Sequence, residues 1–217
     1  MSRICFELHQ LLNHLPVFVF PFDTSRIPLN GIYILFETGE TGHNTDRIVR
    51  IGTHTGRDQL RSRLKQHFIQ ENKDRSIFRK NIGRAILNRD NDPFLAQWEI
   101  DLTSYYAKQM YKNVVDFSKQ KQVEHQVTKY IQEKFHFVVF RVDEKEKRMA
   151  WESNLISTVS LCTECRPSSN WLGNYSPIEK IRQSGLWNVN ELYKKPLSDG
   201  EYNEFEKVII SNLQLNN

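Results

Sequence analysis

The sequence lacks any long uninterrupted apolar run. The longest one near its start, residues 17–22, is broken at Pro21 and is far shorter than the ~20 residues that cross a bilayer. The N-terminal residues carry Glu7, His9 and Gln10, and they show neither an apolar signal region nor a small-residue cleavage site. These absences predict a protein without a membrane segment, located in the cytoplasm.

Cysteine is scarce, with only three residues in the chain. Three cysteines cannot form a complete disulfide framework. Cys162 and Cys165 form a single C-x-x-C, but there is no second cysteine pair and no compact histidine pair to complete a zinc motif. The pattern by itself therefore favours two small residues at the end of a helix over a metal site.

Charge of either sign is not in large excess. The chain has 30 Lys and Arg against 26 Asp and Glu, which gives a formal net charge of +4. This balance is typical of a soluble globular protein and leans towards a polyanionic partner without requiring one.

The first half of the sequence predicts a helix, an extended arm and two strands. Apolar residues at positions 4, 8, 11, 12 and 15 recur at helical spacing, and a proline-punctuated arm then runs to residue 30. Residues 31–36 and 47–51 are β-branched and aromatic runs typical of strands. We expect these strands to be antiparallel, because a polar loop of about ten residues leaves no room for a crossover helix.

A short basic helix is predicted next, with Leu60, Leu64 and Phe68 at helical spacing. It brings together Arg57, Arg61, Arg63 and Lys65, which suit a phosphate backbone, although a solvated basic face is the commoner explanation. Arg63 and His67 are four residues apart and therefore share one face. A guanidinium can clamp phosphate oxygens, and an imidazole can accept or relay a proton near neutral pH.

The second half predicts mainly helices around one further strand. We expect helices over 78–87, within 105–134, over 149–161 and over 201–213, and strands over 98–102 and 135–142. In the helix at 149–161, Glu152 shares a stripe with Leu155, Ile156 and Val159. A carboxylate on a core-facing stripe is costly unless it is paired or bound to a cation, whereas a Glu at a helix start is also favoured by the macrodipole.

Read in order, these fragments resemble the GIY-YIG nuclease family. Gly31, Ile32 and Tyr33 spell GIY on a predicted strand, and residues 50–52 stand where the YIG half belongs. The helix with Arg63-x-x-x-His67 looks like the family's Arg followed four residues later by Tyr or His. Glu152-x-x-Leu-Ile resembles the helix with the family's metal-binding Glu, and Pro167-Ser-Ser-Asn170 resembles its closing Pro and Asn.

The resemblance implies an α+β fold, with a small three-stranded antiparallel sheet flanked by helices. It divides the chain into an N-terminal helix and arm (1–30), a nuclease core (31–175) with a helical insertion at about 88–134, and a C-terminal helical extension (176–217). The implied activity is Mg²⁺-dependent hydrolysis of DNA phosphodiester bonds by an endonuclease, with Mn²⁺ as a substitute metal and a homodimer as a convenient arrangement for a double cut.

The resemblance also implies roles for individual residues. The catalytic set would be Tyr33, Arg63, His67, Glu152 and Asn170, with Glu152 as the metal ligand. Tyr33 would orient or deprotonate the attacking water with help from His67, and Arg63 would neutralise charge on the phosphate. Substrate-binding cations would be Arg57, Arg61 and Lys65.

One position departs from the family pattern, because Arg50 stands where the YIG half has an aromatic residue. Arg50 could hold a phosphate, and His54 could replace the missing proton-handling group. Three functions stay open at this point: a restriction-like endonuclease, a structure-selective repair or recombination nuclease, and a noncatalytic DNA-binding module on a nuclease scaffold.

Overall fold

The N-terminal amphipathic pattern forms a helix, as predicted. A computed structural model describes residues 2–215, and its first helix, α1, buries Cys5, Leu8 and Leu12 on one face. The helices of the described chain are α1 (Ser2–Asn13), α2 (Leu60–Phe68), α3 (Ile77–Arg89), α4 (Leu95–Trp98), α5 (Tyr105–Met110), α6 (Phe117–Lys134), α7 (Lys145–Ser160), α8 (Glu179–Ser184) and α9 (Asp199–Leu215).

The sheet has four strands, not the three expected from the sequence. Its order is β1-β4-β2-β3 and every neighbouring pair is antiparallel, with β1 at Phe18–Val19, β2 at Gly31–Gly42, β3 at Thr45–Gly52 and β4 at Phe135–Arg141. The extra strand comes from the proline-punctuated arm. A two-residue strand leaves no period-2 pattern to read, so only its pairing with β4 defines it.

The antiparallel pairing of the first two long strands is confirmed, but the expected ten-residue loop between them is wrong. β2 continues to Gly42, and a tight turn at His43 and Asn44 leads directly into β3. Both turn residues have positive φ angles, 54° and 64°, which is the conformation of a two-residue type I′ hairpin. Irregular pairing between Phe36 and Thr41 lets the polar segment stay in the strand.

The expected strand over residues 98–102 is also wrong. Trp98 ends the short helix α4, and its indole Nε1 donates a hydrogen bond to the Lys80 carbonyl oxygen at 3.0 Å. The indole packs so closely on α3 that a Cβ at Gly83 would lie 2.4 Å from it. Packing against α3 therefore decides the conformation of a segment whose apolar alternation resembles a strand.

Helices cover both faces of the sheet, so the structure has two apolar layers. One layer joins Tyr33, Leu35 and Phe137 to α2, α3 and α6. The other joins Ile32, Ile34 and Val138 to α1, α7 and α9. The layers alternate along β2 because successive side chains of a strand point to opposite faces.

The proposed domain boundaries remain predictions, but α6 shows how closely one of them is tied to the core. This helix lies inside the segment 88–134 that the sequence suggests as an insertion, and it buries Val123, Val127 and Ile131 in the layer that contains Tyr33. Within residues 2–215, no helix is long and apolar enough to cross a bilayer.

Candidate active site

The two motif halves lie side by side at one end of the β2–β3 hairpin, where Tyr33 pairs directly with Gly52. A Cβ at position 52 would lie 2.2 Å from the Tyr33 hydroxyl oxygen, and one at Gly31 would lie 2.2 Å from the Phe140 carbonyl oxygen. Both distances are far inside van der Waals contact. The glycines are therefore steric requirements: one admits the Tyr33 ring and the other admits the neighbouring strand.

A hydrogen-bonded chain of three side chains starts at Tyr33. Its hydroxyl oxygen is 2.8 Å from His67 Nε2, and His67 Nδ1 is 2.7 Å from Ser76 Oγ. Tyr33, His67 and Ser76 are all fully buried. Ser76 is fixed in turn because it caps α3, where its Oγ accepts a hydrogen bond from the Arg79 backbone N–H.

The His67 imidazole is neutral in this setting. Burial lowers its pKa well below the usual 6.5, and the positive charges of Arg63, Arg50 and Arg79 lower it further. Arg79 is held in place by a buried ion pair with Glu124 at 2.7 Å and donates to the His67 carbonyl oxygen at 3.0 Å. The imidazole therefore has the free lone pair that a proton acceptor needs.

Glu152 enters the site from the other layer. Its Oε1 accepts a hydrogen bond from the Thr53 backbone N–H at 3.0 Å, just beyond the end of β3. Burial raises the pKa of the carboxyl group, while Arg50, the Thr53 N–H and Arg63 act in the opposite direction. The stripe that placed this acid beside the buried Leu155, Ile156 and Val159 is correct, and burial outweighs the two nearby guanidinium groups in its effect on the pKa of Glu152.

Arg63 and Glu152 meet although α2 and α7 pack on opposite faces of the sheet. Both side chains can reach one cleft because β3 is an edge strand of the sheet. The two side chains line one cleft of about 530 Å³, together with Arg50, Asn188, Asn190 and Glu191. The convergence that the resemblance implies for Arg63 and Glu152 is therefore present in the structure.

Arg50 projects into the same cleft from β3. Its Nη1 donates to the Trp187 carbonyl oxygen at 2.8 Å, and its guanidinium lies over the Phe78 ring at 5.1 Å. Its Nε is buried and, within residues 2–215, has no hydrogen-bond partner. A buried donor without a partner is costly in a folded protein.

His54, the alternative proton-handling residue, is occupied by the backbone. Its Nδ1 is 2.7 Å from the Gly56 carbonyl oxygen, and its Nε2 accepts from the Gly31 N–H at 3.3 Å. Burial lowers the pKa of this imidazole as well. Through these two contacts His54 links Gly31, the first glycine of the motif, to the loop after β3.

The remaining predicted residues lie outside the cleft. Asn170 is exposed in the loop before Trp171 and does not contribute to the lining. Arg61 donates to the carbonyl oxygens of Ile27 and Ser25 at 2.7 and 2.9 Å, so it fastens the N-terminal arm to α2. The side chains of Arg57 and Lys65 are exposed.

Asn188 lies in the site but is not predicted from the sequence. This buried side chain accepts from the Ile51 N–H at 3.1 Å and donates to the Ile51 carbonyl oxygen at 2.8 Å. Together with the bond from the Trp187 N–H to the Val49 carbonyl oxygen at 2.8 Å, it satisfies the open edge of β3 beside the cleft. Its only sequence signal is a polar residue after a tryptophan, which is too common to interpret.

The sequence of this chain is also similar to a known family of protein domains. The family model described as GIY-YIG domain matches residues 20–214, which is most of the chain, and the protein therefore belongs to the GIY-YIG family. Its domain is of the nuclease type. The match continues to residue 214 and so includes Asn188, whereas the motif resemblance ended near residue 175. No curated protein and no solved structure matches the chain.

Proposed function

We propose that the protein is a Mg²⁺-dependent endonuclease that hydrolyses DNA phosphodiester bonds at the cleft between Arg63 and Glu152. One observation carries this proposal: two guanidinium groups line a single cleft with the Glu152 carboxylate, and a buried Tyr33–His67 pair lies in the strand and helix behind it. Cations for the phosphate, a carboxylate for a metal and a neutral base are the groups that phosphodiester hydrolysis needs.

The Glu152 carboxylate fits the metal that the family implies. It is an oxygen donor, which Mg²⁺ prefers, and within residues 2–215 only its Oε1 has a hydrogen-bond partner. Bound there, Mg²⁺ would supply Lewis-acid stabilisation of the phosphate and the leaving oxygen. A single carboxylate leaves most of the octahedral positions to water and substrate, so we expect weak metal affinity without DNA, and Mn²⁺ as a workable substitute.

Arg63 and Arg50 would hold the scissile phosphate. Arg63 donates to Gln66 Oε1 at 3.1 Å and to the Arg75 carbonyl oxygen at 3.2 Å, so its guanidinium is oriented but keeps free donors for a substrate. Arg50 has the buried Nε described above. Arg50 stands where the family has an aromatic residue. We propose that Arg50 stabilises negative charge on the phosphate, whereas the aromatic residue would handle a proton.

Tyr33 and His67 would handle the proton. As the water oxygen bonds to phosphorus and the bond to the leaving oxygen breaks, the Tyr33 hydroxyl would accept the proton of the water and pass its own proton to His67 Nε2, 2.8 Å away. The leaving oxygen would take a proton from solvent. In this arrangement the proton of neutral His67 is on Nδ1, which donates a hydrogen bond to Ser76 Oγ. Because Tyr33 and His67 are fully buried, DNA binding must open a path for one water to this hydroxyl.

Connected clefts lead from the active-site cleft to further cations. A second cleft of about 290 Å³ shares Arg63 with the first, and a third of about 660 Å³ shares Thr55 with the second. The third is lined by Arg57, Arg141, Lys145 and Arg148 together with two acids, Asp58 and Asp143, which pair with Arg57 and Arg141. Cations along connected clefts suit a phosphate backbone but carry no sequence information, so we place target selection elsewhere, in residues 88–134 and in the C-terminal segment.

The test compares two acids of the same cleft. Glu152→Gln should abolish Mg²⁺-dependent and Mn²⁺-dependent nicking of plasmid DNA while DNA binding in EDTA persists. Glu191→Gln is the matched control, because the Glu191 carboxylate already accepts hydrogen bonds from Ser153 at 2.5 Å and Lys194 at 2.8 Å. This variant should keep the nicking activity.

Two results would overturn the proposal. Normal cleavage by the Glu152 variant would exclude its role. A wild-type chain that binds DNA but cuts no duplex, branched or single-stranded substrate with either metal would instead support a noncatalytic binding module. Fixed cleavage positions on a plasmid would indicate a restriction-like enzyme, and preference for branched DNA would indicate a repair or recombination enzyme.

A further inference from the structure

A second cluster of metal-binding side chains lies away from the cleft. Cys5 on α1, His43 in the β2–β3 turn, and Cys162 and Cys165 just beyond α7 place their ligand atoms within 4.8 Å of one another. The cysteines are buried, and the side chain of His43 is 5% exposed. We propose that these four residues form a structural zinc site.

Two of the six separations between the ligand atoms are those of a tetrahedron around zinc, and all six are within 4.8 Å. Zn–S bonds of about 2.3 Å and Zn–N bonds of about 2.05 Å separate two sulfurs by roughly 3.8 Å, and a sulfur from a nitrogen by roughly 3.6 Å. The Sγ atoms of Cys5 and Cys165 are 3.7 Å apart, and Cys162 Sγ is 3.4 Å from His43 Nε2. All three cysteines are free, and the sulfur separation is far longer than the ~2.05 Å of a disulfide.

The neighbouring His9 is excluded as a ligand by its own hydrogen bonds. Its Nδ1 is 2.9 Å from the Cys5 carbonyl oxygen, and its Nε2 accepts from the Ile48 N–H at 3.2 Å. The fourth ligand is therefore His43. Its other nitrogen, Nδ1, lies 4.0 Å from the Glu164 carboxylate, and carboxylates near the free nitrogen are typical of zinc-bound histidines.

The turn of the β2–β3 hairpin places His43 at this position. A non-glycine residue with positive φ is uncommon, yet His43 has a φ of 54°. The preceding Gly42 allows close approach, since a Cβ there would lie 3.0 Å from the Cys165 Cβ. The type I′ turn, in which both central residues have positive φ, thus holds the His43 side chain beside the three thiols.

The site would be structural and separate from the active site. Burial of all four ligands leaves no open coordination position for a substrate, as in structural zinc centres. It would join α1, the hairpin and the end of α7, and it lies beyond Ser160, the last residue of α7. Glu152 is about 12 Å from that end along the helix. Zinc would therefore fix α7, the helix that positions Glu152.

The test starts with metal content. Elemental mass spectrometry of the full-length protein, purified without a histidine tag, should find one zinc ion per chain. Its cobalt-substituted form should show the thiolate-to-cobalt charge transfer of three sulfur ligands. Cys162→Ser and His43→Asn should each weaken metal retention and lower Tm, whereas His125→Asn, which changes an exposed histidine on α6, should change neither.

The cobalt spectrum of the wild-type chain decides the question even if the cysteine variant fails to fold. A folded wild-type chain that contains no zinc, takes up neither Zn²⁺ nor Co²⁺ after reduction, and keeps its Tm in a zinc-selective chelator would overturn the proposal. A Cys5–Cys165 disulfide found in the chain as isolated under non-oxidising conditions would overturn it as well. Because neither readout uses nuclease activity, failure of the zinc site and failure of the proposed function are distinguishable.

Discussion

Substitution of Gly52 by alanine tests the central contact of the site. The added Cβ would lie 2.2 Å from the Tyr33 hydroxyl oxygen and 2.4 Å from its Cζ. Tyr33 is fully buried, so its ring cannot swing into solvent. To restore ordinary contact, the ring must retreat by more than 1 Å, given optimal separations near 3.5 Å, and this stretches the 2.8 Å hydrogen bond to His67.

The expected loss of stability has two parts. Overpacking of a filled site costs about 1–3 kcal/mol, and loss of a buried hydrogen bond costs about 1–3 kcal/mol more. Since about 1 kcal/mol lowers Tm by roughly 2–4 °C in a chain of this size, we expect Tm to fall by roughly 4–24 °C. Cleavage should fall too, because the hydroxyl is displaced from its proton acceptor.

Calorimetry and urea unfolding measure this change, and a double-mutant cycle isolates its cause. In a Tyr33→Ala background, Gly52→Ala should cost little, because the ring that it strikes is gone. Gly200→Ala is the matched control, since a Cβ at that position meets no atom within 4 Å. An unchanged Tm for Gly52→Ala, or equal costs with and without the Tyr33 ring, would refute the placement of Tyr33 over Gly52.

Three further predictions follow from the buried polar groups. Tyr33→Phe leaves His67 Nε2 without its hydrogen-bond partner. It should lower the free energy of unfolding by about 1–3 kcal/mol and the cleavage rate about 10²–10⁴-fold. Tyr106→Phe, at an exposed tyrosine, is the control, and equal cleavage rates of the two variants would contradict the role of the Tyr33 hydroxyl. Asn188→Ala removes both hydrogen bonds to the edge of β3 and should lower Tm in a melting experiment, whereas the exposed neighbour Asn190→Ala should not; equal Tm values would show that the edge needs no cap. Because the pKa of His67 is lowered on folding, the unfolded chain binds a proton below about pH 6.5 that the folded chain does not. The contribution of this histidine to stability is therefore complete above about pH 6.5 and falls on acidification; urea midpoints that do not fall between neutral pH and pH 5 would contradict this.

Several features of the protein follow from the sequence alone because they depend on local spacing. The helices around Leu64 and Leu155 are visible from apolar recurrence at three and four residues, and the strands at Gly31 and Phe135 from β-branched and aromatic runs. The same spacing places Arg63 beside His67 on one helical face, and Glu152 on a core-facing stripe. With the GIY motif, these local patterns were enough to indicate the family, which the match over residues 20–214 confirms.

Tertiary structure decided whatever depends on contacts between distant residues. The fourth strand exists only through its pairing with β4, and Trp98 is helical because it packs on α3. Asn188 reaches Ile51 across 137 positions, and Cys5 reaches Cys165 across 160. Sequence spacing does not predict contacts over such separations, because the chain between two partners can fold in many ways. The side chains of the partners come together only when the sheet and its two helical layers form.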